Sequence, residues 1–164
     1  MTAEKRIKKE IPGLPDGPLV FRSMQLTDLD RICELEKQCF AVPWSRESFE
    51  NDLLGYGPTG LHLVGEYKGE IITYSNTWMI IDEANLGNIA VAPEFRSKGV
   101  GEAMLDFILA RVVEQGMVHI YLEVRVTNEP AIRLYQKKGF RKIGVRKRYY
   151  RDNKEDALIM LLKL

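Results

Sequence analysis

Residues 96–101 read RSKGVG, and this stretch joins a predicted strand at 86–91 to a predicted helix at 99–115. Its two glycines allow positive φ angles and a close approach of the backbone to a ligand. The first turn of a helix adds unpaired N–H groups and a partial positive charge, and Arg96 and Lys98 add two full charges. Because these features coincide, the junction predicts a binding site for a phosphate or pyrophosphate group.

Other phosphate-binding motifs fit this stretch less well. A P-loop requires GxxxxGK[ST], which the chain lacks. A Rossmann site would use Gly99 and Gly101, with Glu123 as its ribose-binding acid. However, Met104 stands at the third glycine position, and an antiparallel meander precedes the motif. A plain glycine turn before a helix is the third interpretation.

The hydrophobic patterns on either side of the stretch predict a mixed α/β fold, in which an antiparallel meander is followed by a β-α-β crossover and a closing α-β-β unit. The predicted strands cover 19–24, 61–67, 70–81, 86–91, 118–124, 140–147 and 156–163. The predicted helices cover 27–40, 45–54, 99–115 and 128–138. Thr27 and Asp30 form a predicted capping box for the first helix. The strands that flank the 99–115 helix should run parallel, because a crossover helix joins them.

The N-terminal segment looks different from the rest of the chain. Residues 12–18 read PGLPDGP, which is typical of a loop or linker. We therefore expect residues 1–18 to form a flexible tail and residues 19–164 to form a single domain.

Composition excludes several classes of protein. The chain has 164 residues, of which 45% are hydrophobic and 29% charged, as in ordinary globular domains. No apolar run approaches the roughly 18 residues of a membrane helix, and the N-terminus has no signal-peptide core. Cys33 and Cys39 form no CxxC pair, and His62 and His119 have no metal-ligand spacing. We therefore expect reduced thiols, a cytoplasmic location and no metal site.

Positive charge is concentrated near the C-terminus, although the net charge of the chain is only +1. The segment from Lys137 to Arg151 holds eight basic residues and no acid, namely Lys137, Lys138, Arg141, Lys142, Arg146, Lys147, Arg148 and Arg151. Such a run is usually a solvated face, but it also suits a phosphate group or an RNA-rich partner.

The pattern R-x-x-G-x-G after a strand resembles the coenzyme A pyrophosphate loop of the GNAT acetyltransferases. Further segments resemble the ribosomal-protein-alanine N-acetyltransferase family within that superfamily, and the resemblance spans most of residues 19–164. These segments are Pro43-Trp44-Ser45, Asp82-Glu83-Ala84, Asn88-Ile89-Ala90-Val91, Leu122-Glu123-Val124-Arg125, Asn128, Ala131-Ile132-Arg133-Leu134-Tyr135, Gly139-Phe140, Arg148-Tyr149-Tyr150 and Glu155-Asp156-Ala157.

The resemblance implies a GNAT fold, acetyl-CoA as donor, and the N-terminal amine of a protein as acceptor, typically alanine on a small-subunit ribosomal protein. It implies Glu123 as proton acceptor and Tyr135 as proton donor. It also implies that coenzyme contacts come from the backbone at Ile89, Ala90 and Val91, from the loop and helix start at Ser97, Lys98, Gly99, Val100, Gly101 and Glu102, and from Asn128, with Arg96 adding charge. Gly87 departs from the family pattern, because relatives often have a bulky apolar residue there.

Elementary acid–base chemistry constrains these roles. An α-amino group has a pKa of about 7.7–8.0 and an ordinary glutamate about 4.3, so direct proton transfer is uphill by about 5 kcal/mol. Populating the neutral form of an α-amine at pH 7 costs only about 1.4 kcal/mol, whereas the neutral form of a lysine side chain costs about 4 kcal/mol. An α-amine acceptor is therefore favoured. Glu123 would act with a raised pKa, through a water molecule, or after the attack.

Several alternatives stay open on the sequence alone. Glu123 could be a strand-face acid paired with Arg125, and Tyr135 could be a core aromatic. Tyr149 and Tyr150 either line an acceptor groove or pack on the sheet edge, whereas we expect Trp44 and Trp78 to be core or rim residues. A GNAT enzyme acting on lysine or on a small amine or polyamine is the alternative activity. An RNA- or ribosome-binding module is the non-enzymatic alternative, although direct nucleic-acid binding is not expected.

Overall fold

The computed structural model describes residues 5–164, and residues 1–4 of the expected tail lie outside the described residues. The strands are β1 (Ile7–Ile11), β2 (Leu14–Ser23), β3 (Thr59–Tyr67), β4 (Glu70–Ile80), β5 (Glu83–Val91), β6 (His119–Arg125), β7 (Arg141–Arg146) and β8 (Ala157–Lys163). The helices are α1 (Leu29–Cys39), α2 (Arg46–Leu53), α3 (Val100–Glu114) and α4 (Glu129–Lys137). This arrangement confirms the predicted mixed α/β fold.

One sheet holds all eight strands of the described chain, in the order β1-β2-β3-β4-β5-β6-β8-β7. Neighbouring strands are antiparallel except β5 and β6, which run parallel on either side of the crossover helix α3. The predicted parallel pair is therefore confirmed. It lies near the middle of the sheet, where both strands have antiparallel partners on their other edges.

The parallel pair separates halfway along its length. Its last registered pair is Leu86 with Leu122. Beyond that point β5 continues beside β4 as far as Val91, and β6 continues beside β8 as far as Arg125. A register shift makes Gly87 an extra residue on β5, which is a β-bulge and bends the strand. The result is a gap between the C-terminal halves of β5 and β6.

Helices cover both faces of the sheet. Successive residues of a strand point to opposite faces. On β4, the Tyr74 ring packs against Phe49 of α2 at 6.1 Å, whereas the Ser75 hydroxyl contacts the sulfur of Met104 on α3. Lys138, just after α4, pairs with Asp106 of α3 at 2.7 Å, which joins α4 to the second face.

The prediction of a flexible tail is wrong for residues 7–18, which form β1 and the first half of β2. Ile11 and Leu14 are buried in the core, with exposed fractions of 6% and 2%. The prolines of PGLPDGP concealed this hairpin. The β1–β2 ladder jumps from the pair Lys9–Leu19 to the pair Ile11–Leu14, so the prolines lie in an irregular stretch where few N–H groups are needed.

The hairpin turn packs against the 96–101 loop. A Cβ atom at Gly13 would lie 2.3 Å from the Lys98 carbonyl oxygen, so the two backbones are in direct contact. The Ile11 side chain lies 3.4 Å from where a Cβ of Gly99 would stand. The β1–β2 hairpin therefore packs directly against the 96–101 loop and supports its conformation.

The predicted capping box is displaced. Asp28, not Asp30, accepts the N–H of Gln25 at 2.8 Å, and it also binds the Arg22 guanidinium through both carboxylate oxygens. Asp30 instead pairs with Arg46 on α2. The two later caps are confirmed: Ser45 accepts the Ser48 N–H at the start of α2, and Asn128 accepts the Ala131 N–H at the start of α4.

Candidate active site

The 96–101 loop has the backbone conformation that the sequence predicts. Ser97 and Gly99 both have positive φ, 60° and 86°, and Val100 begins α3 directly afterwards. The Ala103 N–H makes the helical hydrogen bond to the Gly99 carbonyl at 3.0 Å. The N–H groups of the preceding first turn have no intrahelical acceptor, so they are open to an anion.

Two charged side chains of this region are already engaged in the structure. Arg96 donates to the Val91 carbonyl at 3.2 Å and to the Cys39 sulfur at 3.4 Å, which ties the loop to the end of β5. Glu102 pairs with Lys137 and Lys138 at 2.8 and 2.9 Å, and these hydrogen bonds lower its pKa to about 2. The Glu102 carboxylate therefore joins α3 to the end of α4.

The edge of β5 lines the gap between the separated strands. The Ala92 N–H donates to Ile72 of β4 at 2.8 Å, and the Ala90 carbonyl accepts from the Thr73 hydroxyl at 2.7 Å. Because backbone groups alternate in direction along a strand, those of Ile89 and Val91 point away from β4 into the gap. The backbone groups of Ile89 and the Val91 N–H therefore face the gap, whereas the Val91 carbonyl accepts from Arg96.

Glu123 stands on β6 one residue beyond the point of separation. Its carboxylate is 14% exposed and pairs with the Arg146 guanidinium at 3.2 Å. Arg125, the alternative partner considered from the sequence, instead pairs with Asp152 at 3.0 Å and with Glu155 at 3.2 Å. That alternative is wrong, and Glu123 is a shielded carboxylate beside the gap.

Tyr135 lies on α4, with its ring 5.6 Å from the Phe140 ring. Burial, reinforced by the neighbouring Tyr150, raises the pKa of Tyr135 to about 12. The hydroxyl is therefore protonated at neutral pH. No hydrogen bond of this hydroxyl occurs within residues 5–164, so its proton is available to a ligand.

A family model described as the acetyltransferase (GNAT) family matches residues 29–140, which include the loop, the gap, Glu123 and Tyr135. This chain belongs to the GNAT acetyltransferase family. Membership of this family means that the chain has the GNAT fold and is an acetyltransferase.

Relatives of this GNAT acetyltransferase are similar over most of their length. A Bacillus subtilis protein provisionally named a ribosomal protein bS18-alanine N-acetyltransferase is 41% identical over 85% of this chain and 91% of its own. The bS18-alanine N-acetyltransferase of Escherichia coli K12 is 34% identical over 87% and 95%. The crystal structure of the Escherichia coli S18-alanine enzyme superposes with a TM-score of 0.80, covering 87% of this chain and 92% of that one.

Two tyrosines complete one wall of the site in this GNAT acetyltransferase. The rings of Tyr149 and Tyr150 meet edge to face at 5.1 Å, and the Arg125 guanidinium lies 3.8 Å from the Tyr150 ring centre. Burial is the main cause that raises the pKa of both tyrosines, and the nearby Glu123 carboxylate adds to it. Both residues therefore stand beside Glu123.

The opposite wall explains how the chain accommodates a glycine at 87. The Trp78 indole lies directly over Gly87, where a Cβ atom would come within 2.2 Å of the ring. The Trp44 ring packs 5.4 Å from the Trp78 ring. The Trp78 side chain of β4 thus occupies the space that a bulky side chain at position 87 would fill.

Sequence reasoning missed three residues that shape the site. Glu36 is 1% exposed, binds the Tyr74 hydroxyl, and accepts the Trp44 N–H at 3.0 Å, which fixes the α1–α2 loop. The sequence signal that could have identified Glu36 is the position of an acid on the apolar face of α1. Arg146 carried no signal beyond its place in the basic run, and Gly13 appeared to be part of a linker.

Within residues 5–164, no helix is long and apolar enough to cross a membrane. In the same described part of the chain, no group of three or more His, Cys, Asp or Glu side chains is placed to hold a metal ion.

Proposed function

We propose that this enzyme transfers the acetyl group of acetyl-CoA to the N-terminal α-amine of a protein, with an N-terminal alanine of a small-subunit ribosomal protein as its acceptor. One observation carries the proposal: β5 and β6 separate after Leu86 and Leu122, so Glu123 borders a gap whose other edge, the end of β5, leads into the glycine-lined start of α3. The names of the relatives in Bacillus subtilis and Escherichia coli support the same acceptor.

The coenzyme is held mainly by backbone groups. The N–H groups at residues 97–102 bind the pyrophosphate, and the backbone groups of Ile89 together with the Val91 N–H bind the acetyl and pantetheine portion. Asn128 uses its side-chain oxygen to cap α4, so its NH₂ group is the part that can contact the coenzyme. This arrangement fits acetyl-CoA as a substrate that passes along the start of α3 into the gap.

The transfer proceeds by direct attack within a ternary complex. The neutral amine nitrogen attacks the thioester carbonyl carbon, the C–N bond forms, and the C–S bond breaks as the tetrahedral intermediate collapses. Glu123 accepts the proton that the nitrogen loses, through a water molecule or after the attack, when the nitrogen is far more acidic. The leaving sulfur receives a hydrogen bond from the Tyr135 hydroxyl.

The raised pKa of Tyr135 refines its role. A thiol has a pKa near 8.5, so full proton transfer from a tyrosine of pKa about 12 is uphill by about 5 kcal/mol. A hydrogen bond that strengthens as the sulfur gains charge needs no complete transfer. Tyr135 therefore stabilises the departing thiolate as a hydrogen-bond donor and need not release its proton before the C–S bond breaks.

The basic segment from 137 to 151 is partly neutralised. Lys137 and Lys138 pair with acids of α3, Arg146 pairs with Glu123, and Lys147 pairs with Asp156. This pairing supports a protein acceptor over direct nucleic-acid binding. A ribosomal acceptor places the reaction in the cytoplasm.

Peptide acetylation tests the proposal. Mass spectrometry should detect one added acetyl group on a peptide that begins with free alanine, and none when that amine is blocked. A peptide with a blocked N-terminus and a free lysine reports on the lysine alternative, and spermidine reports on the polyamine alternative. Faster turnover of either one than of the free-alanine peptide would overturn the proposed acceptor.

A further inference from the structure

An open pocket lies on the α1/α2 face of the sheet, at the end of the site away from the coenzyme loop. Its lining residues are Trp44, Ser48, Asn51, Asp52 and Trp78. The two indole rings are tilted by 34° and stand 5.4 Å apart. The pocket therefore combines aromatic surface with one carboxylate.

The Asp52 carboxylate has no cationic partner. It makes no salt bridge and no side-chain hydrogen bond within residues 5–164, although it is half-buried. His62 lies close enough to interact with it, but burial lowers the pKa of His62, so that imidazole is neutral at pH 7. The negative charge of the pocket is therefore uncompensated in the free enzyme.

The register of the sheet relates the pocket to the reacting centre. Trp78 stands opposite Asn85, and Asn85 stands opposite Tyr121, so the three residues share one face of the sheet. Glu123 follows Tyr121 by two residues and lies on that face too. Two strand spacings and two residues of rise separate the Trp78 and Glu123 backbones by about 12 Å.

An extended peptide covers that separation in a few residues. Its backbone rises about 3.3 Å per residue. When the acceptor amine is at Glu123, the side chains of its second to fourth residues therefore come within reach of the pocket. The first residue stays beside the gap.

We propose that this pocket binds a positively charged side chain, arginine or lysine, carried by one of residues two to four of the acceptor protein. A cation is attracted to the face of an indole ring, and a carboxylate supplies a charge-assisted hydrogen bond. The inference rests on the proposed function and adds to it a preference beyond the first residue. Trp44 and Trp78 then belong to the acceptor site.

A peptide series tests the preference. The peptides begin with free alanine and carry arginine, lysine or neutral citrulline at position two, three or four. For the wild-type enzyme, kcat/KM should be about tenfold higher for the arginine or lysine peptide than for its citrulline counterpart at one of these positions. The Asp52→Asn variant should reduce that ratio to near one.

A matched control uses the same helix. Glu47 is an exposed acid of α2 that does not line the pocket, so Glu47→Gln should keep the wild-type ratio. Because each ratio compares two peptides on one variant, a general loss of activity cancels.

The two proposals fail separately. If no free-alanine peptide is acetylated, the proposed function fails. If the peptides are acetylated but charge at positions two to four changes kcat/KM by less than twofold, or if Asp52→Asn keeps the wild-type ratio, only the pocket assignment fails.

Discussion

At the residue scale, Glu123 is held by one ion pair among residues 5–164, and this pair reaches across to Arg146 on β7. Its carboxylate is 14% exposed, while its partner Arg146 is 53% exposed. A shielded carboxylate beside the gap is accessible mainly to a group that enters the gap. This placement is what makes its chemical role testable by a change of one atom.

We expect Glu123→Gln to lower kcat by about 10² or more, because the amide has the same shape but accepts no proton. Affinity for acetyl-CoA, measured by calorimetry, should stay within about twofold, since Glu123 is not part of the coenzyme loop. Glu83→Gln, at the exposed start of β5, is the control and should leave kcat unchanged. An unchanged kcat in Glu123→Gln would remove this residue from the mechanism.

The pH dependence should show one ascending limb. Below a pH of about 8, kcat/KM for the acceptor peptide should rise about tenfold per pH unit, as the α-amine becomes neutral. Burial holds the pKa of Tyr135 at about 12, so its hydroxyl remains a donor and causes no fall up to pH 10. An ordinary tyrosine would be half ionised there. A descending limb near pH 10 that disappears in Tyr135→Phe would contradict this expectation.

Sequence reasoning located residues better than it located their partners. Glu123 lies on the predicted strand and Tyr135 on the predicted helix, because strand alternation and helix caps fix those positions locally. Arg146 was not predicted as the partner of Glu123, since β8 lies between their strands in the sheet and no local pattern encodes that order. The packing of the Trp78 indole over Gly87 likewise depends on the register of β4 and β5, which the sequence does not report.

At the element scale, the N-terminal hairpin, the 96–101 loop and α3 form one packed unit. Gly13 touches the Lys98 backbone, and Lys9 of β1 pairs with Asp106 of α3 at 3.2 Å. The conformation of the loop therefore depends on a segment that looked like a linker. Local propensity could not reveal it, because prolines and glycines favour turns and loops and are tolerated in a strand only at edges, ends or bulges.

We expect Gly13→Ala to weaken acetyl-CoA binding, raising its dissociation constant about tenfold, because the new Cβ would stand 2.3 Å from the Lys98 carbonyl oxygen and displace the loop. The kcat at saturating coenzyme should change little. Calorimetry and steady-state kinetics measure the two effects.

Gly144→Ala is the control for that substitution. A Cβ there meets only the Ile159 side chain, at an ordinary 3.5 Å, and β7 is far from the loop in the sheet order. Equal coenzyme affinity in Gly13→Ala and Gly144→Ala would show that the hairpin does not position the loop.

At the scale of the whole molecule, coenzyme binding should stabilise the fold. A ligand at one hundred times its dissociation constant stabilises the native state by about 2.7 kcal/mol. For a domain of this size that corresponds to a rise in Tm of roughly 5–10 °C. Pantetheine lacks the diphosphate and should give a much smaller shift at the same concentration. Equal shifts in differential scanning fluorimetry would argue against a pyrophosphate site at the start of α3.

The general architecture was predictable from the sequence, and its central irregularity was not. Hydrophobic periodicity gave the meander, the amphipathic α3 and the closing strands, and the crossover rule gave the parallel pair. The gap arises because β5 and β6 stop pairing after Leu86 and Leu122, next to the bulge at Gly87. That separation depends on pairing among three strands, which periodicity along one strand does not report.

The separation of β5 and β6 gives the two substrates different entrances. On the proposed function, the nucleotide end of acetyl-CoA lies along the start of α3, and the acceptor peptide approaches past Trp44 and Trp78 near the β4–β5 turn. Neither therefore has to leave before the other arrives. Initial-rate plots at several fixed concentrations of the second substrate should intersect, and a molecule joining coenzyme A to an alanine peptide should compete with both.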